Sequence, residues 1–337
     1  LNGPFDALPL GATGWRYSDF GTKDLRETLL TKGRIDFLYA FQNEKKIFAA
    51  ADHSFKQVAL VATRGGSTRG FLTRFRMGVG NSPHAHELPD DLLNRDYAAI
   101  CLTPDDVKRN SPSTLSLVEL GSERDVAIFR TIYDHSVRIG ENAPGWAISY
   151  AREFDMTNDS KHFPPLDKWE AKNFKPDVFG RWIGPESEVA LPLYEGSMMH
   201  QLDGCYQGWH SGHGASSVWK REPHDSGAIR PRFLMNEKHY RSTITHSHKP
   251  IVVLRSIGRN TLTRTAISTC IRGVPCGNSL SVLCVEQNQL PPTLLLAAYL
   301  SSFTFDFVLR ARISGLNLNW FIVAECPIAS CDTASSQ

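Results

Sequence analysis

No run of eighteen apolar residues, the length that would suggest a membrane-crossing helix, occurs anywhere in the 337-residue sequence. The N-terminus, Leu1-Asn2-Gly3-Pro4, has neither a charged leader nor an apolar signal core. A soluble, cytoplasmic protein with no membrane partner is the expectation. Cysteine is sparse and irregularly spaced: seven thiols in a chain of this size fit a reducing compartment better than a disulfide framework. Zinc knuckles are missing as well. Cys270, Cys276 and Cys284, and likewise Cys326 and Cys331, lie too far apart, and the histidine groups His84/His86, His246/His248 and His200/His210/His213 lack tight ligand spacing, so no metal is expected. There is no Gly-x-Ser-x-Gly elbow, and no nuclease-like acidic set with a lysine stands out. Neither an internal repeat nor a low-complexity tract occurs. The chain opens on Leu1 rather than Met, as a fragment of a longer polypeptide would.

With 41% hydrophobic residues the chain can bury a large core and is long enough for two domains. The formal net charge of +2 hides an asymmetry. Between Glu87 and Asp159 fourteen acids face seven bases, whereas between Trp219 and Arg272 eleven bases face three acids. A basic segment of that length suits a phosphate backbone, although charge runs are often no more than solvated faces.

The first seventy-five residues alternate helix and strand. Asp24 to Leu30 reads as a short amphipathic helix, Ile35 to Phe41 as a strand, and Gln57 to Thr63 as a buried strand ended by Gly65-Gly66. Ser122-Glu123-Arg124-Asp125 caps a helix running through Ala127, Ile128, Ile132 and Tyr133, between Pro- and Asp-rich flanks that read as loops. A second globular unit is expected from about Asp177. Ile251 to Leu254 reads as a buried strand. Near the C-terminus, Pro291 and Pro292 open a long helix whose buried face is predicted from Leu294, Leu295, Ala298, Tyr299, Ser302, Phe305 and Val308. Arg310 and Arg312 close it, where cations suit the helix dipole.

Beyond that helix, Arg310-Ala311-Arg312-Ile313-Ser314-Gly315-Leu316-Asn317-Leu318-Asn319-Trp320-Phe321 places amide groups beside a flat aromatic. Upstream stand Leu191-Pro192-Leu193-Tyr194-Glu195-Gly196-Ser197-Met198-Met199-His200-Gln201-Leu202-Asp203, the stretch Phe154 to Ser160, and the stretch Arg255 to Thr265. In wording and order, this set resembles the C-terminal half of adenine-N6 DNA methyltransferases of the type IIG restriction-modification and phage-defence kind, in which methylase and target recognition share one polypeptide. The resemblance covers nearly the whole chain. It departs from the family after Asp203, where Gly204, Cys205 and Tyr206 replace an expected His-Arg-Phe.

The resemblance implies an α/β fold: the trailing strands of a doubly wound methyltransferase-like sheet over residues 1–75, a connecting segment with one helix over 76–170, and a mixed α+β target-recognition domain over 171–331. Double-stranded DNA is the implied partner, with an N-terminal methylase or nuclease domain or chain as a further candidate. The parent enzyme would use S-adenosylmethionine. This sequence has no glycine-rich cofactor turn and no Asn/Asp-Pro-Pro-aromatic motif, so neither a cofactor nor a catalytic residue is expected in it; Gly78-Val79-Gly80-Asn81 reads as a turn. Phe48 and Phe55, in the loop between the two N-terminal strands, correspond to the family's grip on a flipped adenine, with Asn43 beside them. Arg255, Arg259, Asn260, Thr261 and Arg264, with Asn317, Asn319 and Trp320, are the candidate DNA contacts, without a division into base and backbone. Tyr194, His200, Gln201 and Asp203 are assigned to an interdomain cleft, or to a structural hinge. Two other readings stay open: a free-standing specificity or scaffold subunit that binds a separate catalytic chain, and a metal-dependent hydrolase using His and carboxylate groups at the cleft.

Overall fold

The computed structural model describes residues 17–42, 56–77, 99–141, 145–222, 229–260, 262–285 and 289–330. It has the expected mixed α/β architecture, with several sheets and helices. Helix α1 (Lys23–Lys32) leads into β1 (Gly33–Gln42), β2 (Lys56–Arg64), β3 (Phe71–Met77) and β4 (Ile100–Leu102). These four strands form a sheet of order β2-β1-β3-β4, in which β1 pairs antiparallel with β2 and parallel with β3. Strand β2 is half-buried along its length rather than buried, and it ends at Gly65 and Gly66, whose φ angles of 83° and 84° suit glycine.

Over 76–170, where the sequence points to a connector with one helix, the described residues carry three. Helix α2 (Pro104–Asn110) starts in a capping box: Thr103 accepts the N–H of Asp106 while the Asp106 carboxylate accepts the N–H of Thr103, with Pro104 in the first turn. Helix α3 (Glu123–Asp134) has the expected Ser122 cap, but its buried side is Val126, Phe129 and Tyr133, and Ile128 faces outward. Short strands β5 (Val137–Arg138) and β6 (Ser149–Ala151) and helix α4 (Leu166–Glu170) follow.

The next region contains β7 (Lys175–Pro176), β8 (Trp182–Ile183), β9 (Val189–Pro192), β10 (Gln207–Ser211), β11 (Val218–Arg221), β12 (Leu234–Asn236) and α5 (Glu237–Thr243). One sheet runs β12-β9-β8-β7, and β10 and β11 make a separate hairpin. Then come β13 (Pro250–Arg255), β14 (Ser268–Arg272), β15 (Leu280–Cys284), α6 (Leu290–Leu300), α7 (Phe303–Arg312), α8 (Trp320–Ala324) and β16 (Pro327–Ile328), the last paired with β5. The sheet β14-β13-β15-β6 recruits its edge strand from residues 149–151, so the segment read as a connector is stitched into the C-terminal sheet.

Ile251, Val252, Val253 and Leu254 of β13 are fully buried. One hydrophobic core runs from Tyr17 through Phe71, Phe129 and Leu254 to Ile328, merging the N-terminal sheet with the C-terminal helices. Within it the Arg312 guanidinium pairs with Glu325 and donates to the carbonyl of Asn110 and the hydroxyls of Ser111 and Tyr133. Glu325 also accepts the N–H groups of Ser113 and Thr114, so both buried charges are hydrogen-bonded from several sides.

The predicted long C-terminal helix is two helices, bent by 59° at Ser301-Ser302, where the Ser302 hydroxyl caps α7 by accepting the N–H of Phe305. The expected face holds only in its second half. Phe305 and Val308 are buried, but on α6 it is Thr293, Leu296, Ala297 and Leu300 that pack inward, leaving Leu294, Leu295 and Ala298 outside. Among the described residues no single helix is long and apolar enough to cross a membrane.

Candidate functional site

The loop from Ser256 to Thr265, which joins β13 to β14, meets the loop Ser314 to Asn319 between α7 and α8. Leu318 N–H donates to Ser256 O and Gly258 N–H to Leu316 O, each at 2.9 Å, and Ile257 bridges Asn317. Gly258 permits the approach: a Cβ there would lie 2.9 Å from Thr265 O and 3.2 Å from Leu318 Cδ1. Leu318 is buried and pins its loop into the core.

The first loop is held from beneath by a pair on α7. Asp306 Oδ1 accepts the N–H groups of Thr265 at 2.7 Å and Ala266 at 2.8 Å. Its other oxygen accepts from Arg310 at 2.9 Å, and Arg310 in turn donates to the carbonyls of Asn260, Leu262 and Thr263. Five main-chain groups of an irregular loop are thereby satisfied by two side chains one helical turn apart. From the segment between α2 and α3, the buried Glu119 carboxylate accepts from Tyr17 at 2.6 Å and pairs with Lys56, and its second oxygen receives the Asn260 amide at 3.4 Å.

This framework decides what each candidate side chain can do. Arg259, Asn317 and Asn319 are exposed and have no side-chain partner among the described residues. Asn260 is half-buried and tethered to Glu119. Trp320 stacks on Tyr150, centroids 4.7 Å apart and planes 17° apart, which leaves it half-exposed beside Asn319. The Arg255 guanidinium turns inward and donates to Gly196 O and Met199 O, each at 2.6 Å, bracing β13 against the 196–199 turn. Arg264 is likewise engaged, donating to Ser301 O at 3.2 Å and lying 4.2 Å from the centroid of the Phe303 ring, beside the break between α6 and α7. Phe48, Phe55 and Asn43, and also Thr261, His84 and His86, lie outside the described residues.

Other bases of the positive segment are also tied up. Arg232 pairs with the buried Glu195, Arg241 with Glu237 and Arg230 with Glu170. Burial raises the Glu195 pKa above the usual carboxylate range, and Arg232 opposes that rise. Lys220, Lys238, Lys249, Arg259 and Arg272 remain exposed, on different elements.

Of the four residues assigned to a cleft, Tyr194 lines one, between β9 and the end of β14, together with Cys205, Arg181, Arg241, His248 and Arg272. Burial raises its phenol pKa, and Cys205 lies beside it. His200, Gln201 and Asp203 form a tight turn away from the cleft lining: His200 N–H donates to Asp203 O at 2.8 Å, and the His200 ring leans on Tyr206. Burial, then nearby Arg255, lowers the His200 pKa. These three stand in a turn and not on the lining of that cleft. Among the described residues no group of three or more His, Cys, Asp or Glu is placed to hold a metal ion.

Sequence reasoning missed Asp306 and Glu119, which organise the loop without reaching solvent. The spacing of Asp306 and Arg310 was a readable signal for an ion pair on one helix face. No protein-family model and no curated protein matches the sequence. Among solved structures the chain has a loose similarity to the type IIG restriction endonuclease BpuSI, at 12% sequence identity and a TM-score of 0.31, over 95% of this chain and 39% of that protein's length.

Proposed function

We propose that the protein binds double-stranded DNA through the paired loops 256–265 and 314–320, as the target-recognition part of an adenine-N6 DNA methyltransferase or restriction-modification enzyme. The observation that carries this reading is the frame under the first loop. Asp306 and Arg310 satisfy the main-chain groups of Asn260, Leu262, Thr263, Thr265 and Ala266, so Arg259, Asn317 and Asn319 are presented from a stiff platform with no internal partner among the described residues. Arginine and asparagine are the side chains that pair bidentately with guanine and adenine edges, and both also hold phosphate oxygens. A rigid platform lowers the ordering cost of such contacts. On this reading the S-adenosylmethionine site and methyl transfer belong to other residues of the parent enzyme.

The test is a titration of labelled duplex at rising salt. Affinity should fall steeply and linearly in log salt, by about 0.9 log units per log unit of salt for each phosphate neutralised. Arg259→Ala should weaken binding without lowering stability. Binding indifferent to salt, or a fully active Arg259→Ala/Asn317→Ala/Asn319→Ala protein, would overturn the proposal.

A further inference from the structure

The β7–β8 hairpin ends in a tip that carries its apolar side chains outward. Val178 is 82% exposed and Phe179 is 71% exposed. The turn beneath them is tightly built. Asp177 Oδ1 accepts the N–H groups of both Phe179 and Arg181 at 2.9 Å, Oδ2 accepts from Arg181 Nε at 2.8 Å, and Asp177 N–H donates to Arg181 O at 2.7 Å. Gly180 takes the left-handed φ of 76° that closes the turn. A stiff turn holds both side chains in water although a polar pair would satisfy the same backbone.

Behind the tip lies the cleft already described, with Phe179, Gly180 and Arg181 at one wall and Arg241, His248 and Arg272 at the other. Its charge is positive: Asp177 offsets Arg181 and Glu237 offsets Arg241, but Arg272 makes no ion pair among the described residues. His248 adds a buried Nε2 with no hydrogen-bond partner. It is held there by a strained main chain, φ 71°, packed on Gly273, where a Cβ would lie 2.8 Å from both His248 N and Lys249 O. The cleft volume of about 150 Å³ leaves room for a phosphate group.

We infer that this hairpin tip is a second DNA-contacting element: Val178 and Phe179 enter the duplex as an apolar wedge between base steps, while Arg272 and His248 receive a backbone phosphate in the cleft behind. The inference rests on the duplex-binding reading proposed above and adds the part of the duplex this face touches. Apolar wedges of Phe and aliphatic residues, flanked by cations, are how proteins unstack a base step and bend DNA. The charge beside the tip favours a polyanion over an apolar protein surface, because an apolar partner would leave Arg272 desolvated and unpaired.

The experiment uses the full chain and a pool of random-sequence duplexes substituted with iodouracil. Light-induced crosslinks should map to the peptide containing Val178 and Phe179. Val178→Ser/Phe179→Ser should lose those crosslinks and bind about tenfold more weakly, the loss expected for one stacked base, with an unchanged salt slope. Arg272→Gln should instead make the slope shallower by about 0.9, as for one lost phosphate contact. Both positions are exposed, so matching denaturation midpoints verify that the variants fold. Salt-steep duplex binding with crosslinks elsewhere and an unaffected double variant would overturn the wedge and leave the paired-loop reading standing. Failure of the unaltered protein to bind duplex would overturn both. Self-association that the double variant abolishes, with DNA binding intact, would reassign the tip to a second copy of the chain and overturn the wedge.

Discussion

Asp306 is the point at which the candidate site is most open to attack, because one carboxylate holds two main-chain donors and the arginine that braces the rest of the loop. Thr265 and Ala266 are both buried, so Asp306→Ala leaves two N–H groups without acceptors in a place water does not reach. At about 1–3 kcal/mol for each buried unsatisfied donor the loss is about 2–6 kcal/mol, a large share of the roughly 5–15 kcal/mol that holds a domain together. Arg310 keeps its three carbonyl acceptors and adds little to the loss. Asp306→Asn is gentler. It keeps an amide oxygen for the two donors but gives up the charge opposite Arg310, and should cost about 1–2 kcal/mol, the difference between a charge-assisted and a neutral hydrogen bond. Urea denaturation reads the total, and hydrogen exchange at Thr265 and Ala266 locates it. In Asp306→Asn those two amides should lose protection ahead of the β13 amides, and duplex binding should fall with them. Unchanged exchange at both amides in Asp306→Ala would refute the argument that this carboxylate organises the loop.

Gly273→Ala should destabilise the protein by about 1–3 kcal/mol, the usual cost of overpacking, because a Cβ would stand 2.8–2.9 Å from the main chain of His246, His248 and Lys249; a thermal midpoint equal to that of the unaltered protein would contradict the crowding. His246 gives a pH dependence. Burial lowers its pKa, but hydrogen bonds with Cys284 and Glu153 outweigh that and raise it from 6.5 to about 9. A folded-state pKa above the unfolded one contributes stability that is full below pH 6.5 and lost as pH rises through about 9, on the order of 3 kcal/mol. His246→Gln should flatten that limb in urea midpoints measured from pH 6 to 10, and an equally steep limb in the variant would refute the assignment. Glu325→Ala should cost about 3–5 kcal/mol, because it strands a buried arginine, Arg312, beside two unpaired N–H groups. Equilibrium unfolding checks it; a loss under about 1 kcal/mol would mean that water or another group takes over the charge.

How far the sequence foretold this molecule depends on whether a local signal also sets the phase of burial. Strands β1 and β13 are legible because each is a short apolar run bounded by polar residues, and β13 needs no phase because both of its faces are covered. Helix α6 is different. Leu294, Leu295, Leu296, Ala297 and Ala298 are apolar in unbroken succession, so the pattern announces a helix and says nothing of which side is covered; packing against β13 and β14 settles that. Helix α2 was readable and missed, since Thr103-Pro104-Asp105-Asp106 is a capping box with proline in the first turn, masked by a Pro- and Asp-rich look shared with loops.

The candidate site poses a harder problem of the same kind. Arg255, Arg259 and Arg264 sit within ten residues of one another and are chemically identical, yet two of them donate to main-chain carbonyls and one reaches solvent. A guanidinium offers the same five donors to a carbonyl oxygen as to a phosphate, so residue type cannot separate a brace from a DNA contact. What separates them is whether the surrounding main chain has already found partners. Along the 256–265 loop Arg310 donates to the carbonyls of Asn260, Leu262 and Thr263, and Asp306 accepts the N–H groups of Thr265 and Ala266. Arg259 meets no internal acceptor among the described residues, whereas Arg255 and Arg264 donate to carbonyls of the 196–199 turn and the α6–α7 break. The same reasoning predicts that removing Arg310 would draw Arg259 inward to the orphaned carbonyls. Arg310→Ala should therefore weaken duplex binding as much as Arg259→Ala does, and adding Arg259→Ala to it should cost little more. Additive losses in that double-variant cycle would refute the idea that the brace frees the contact residue.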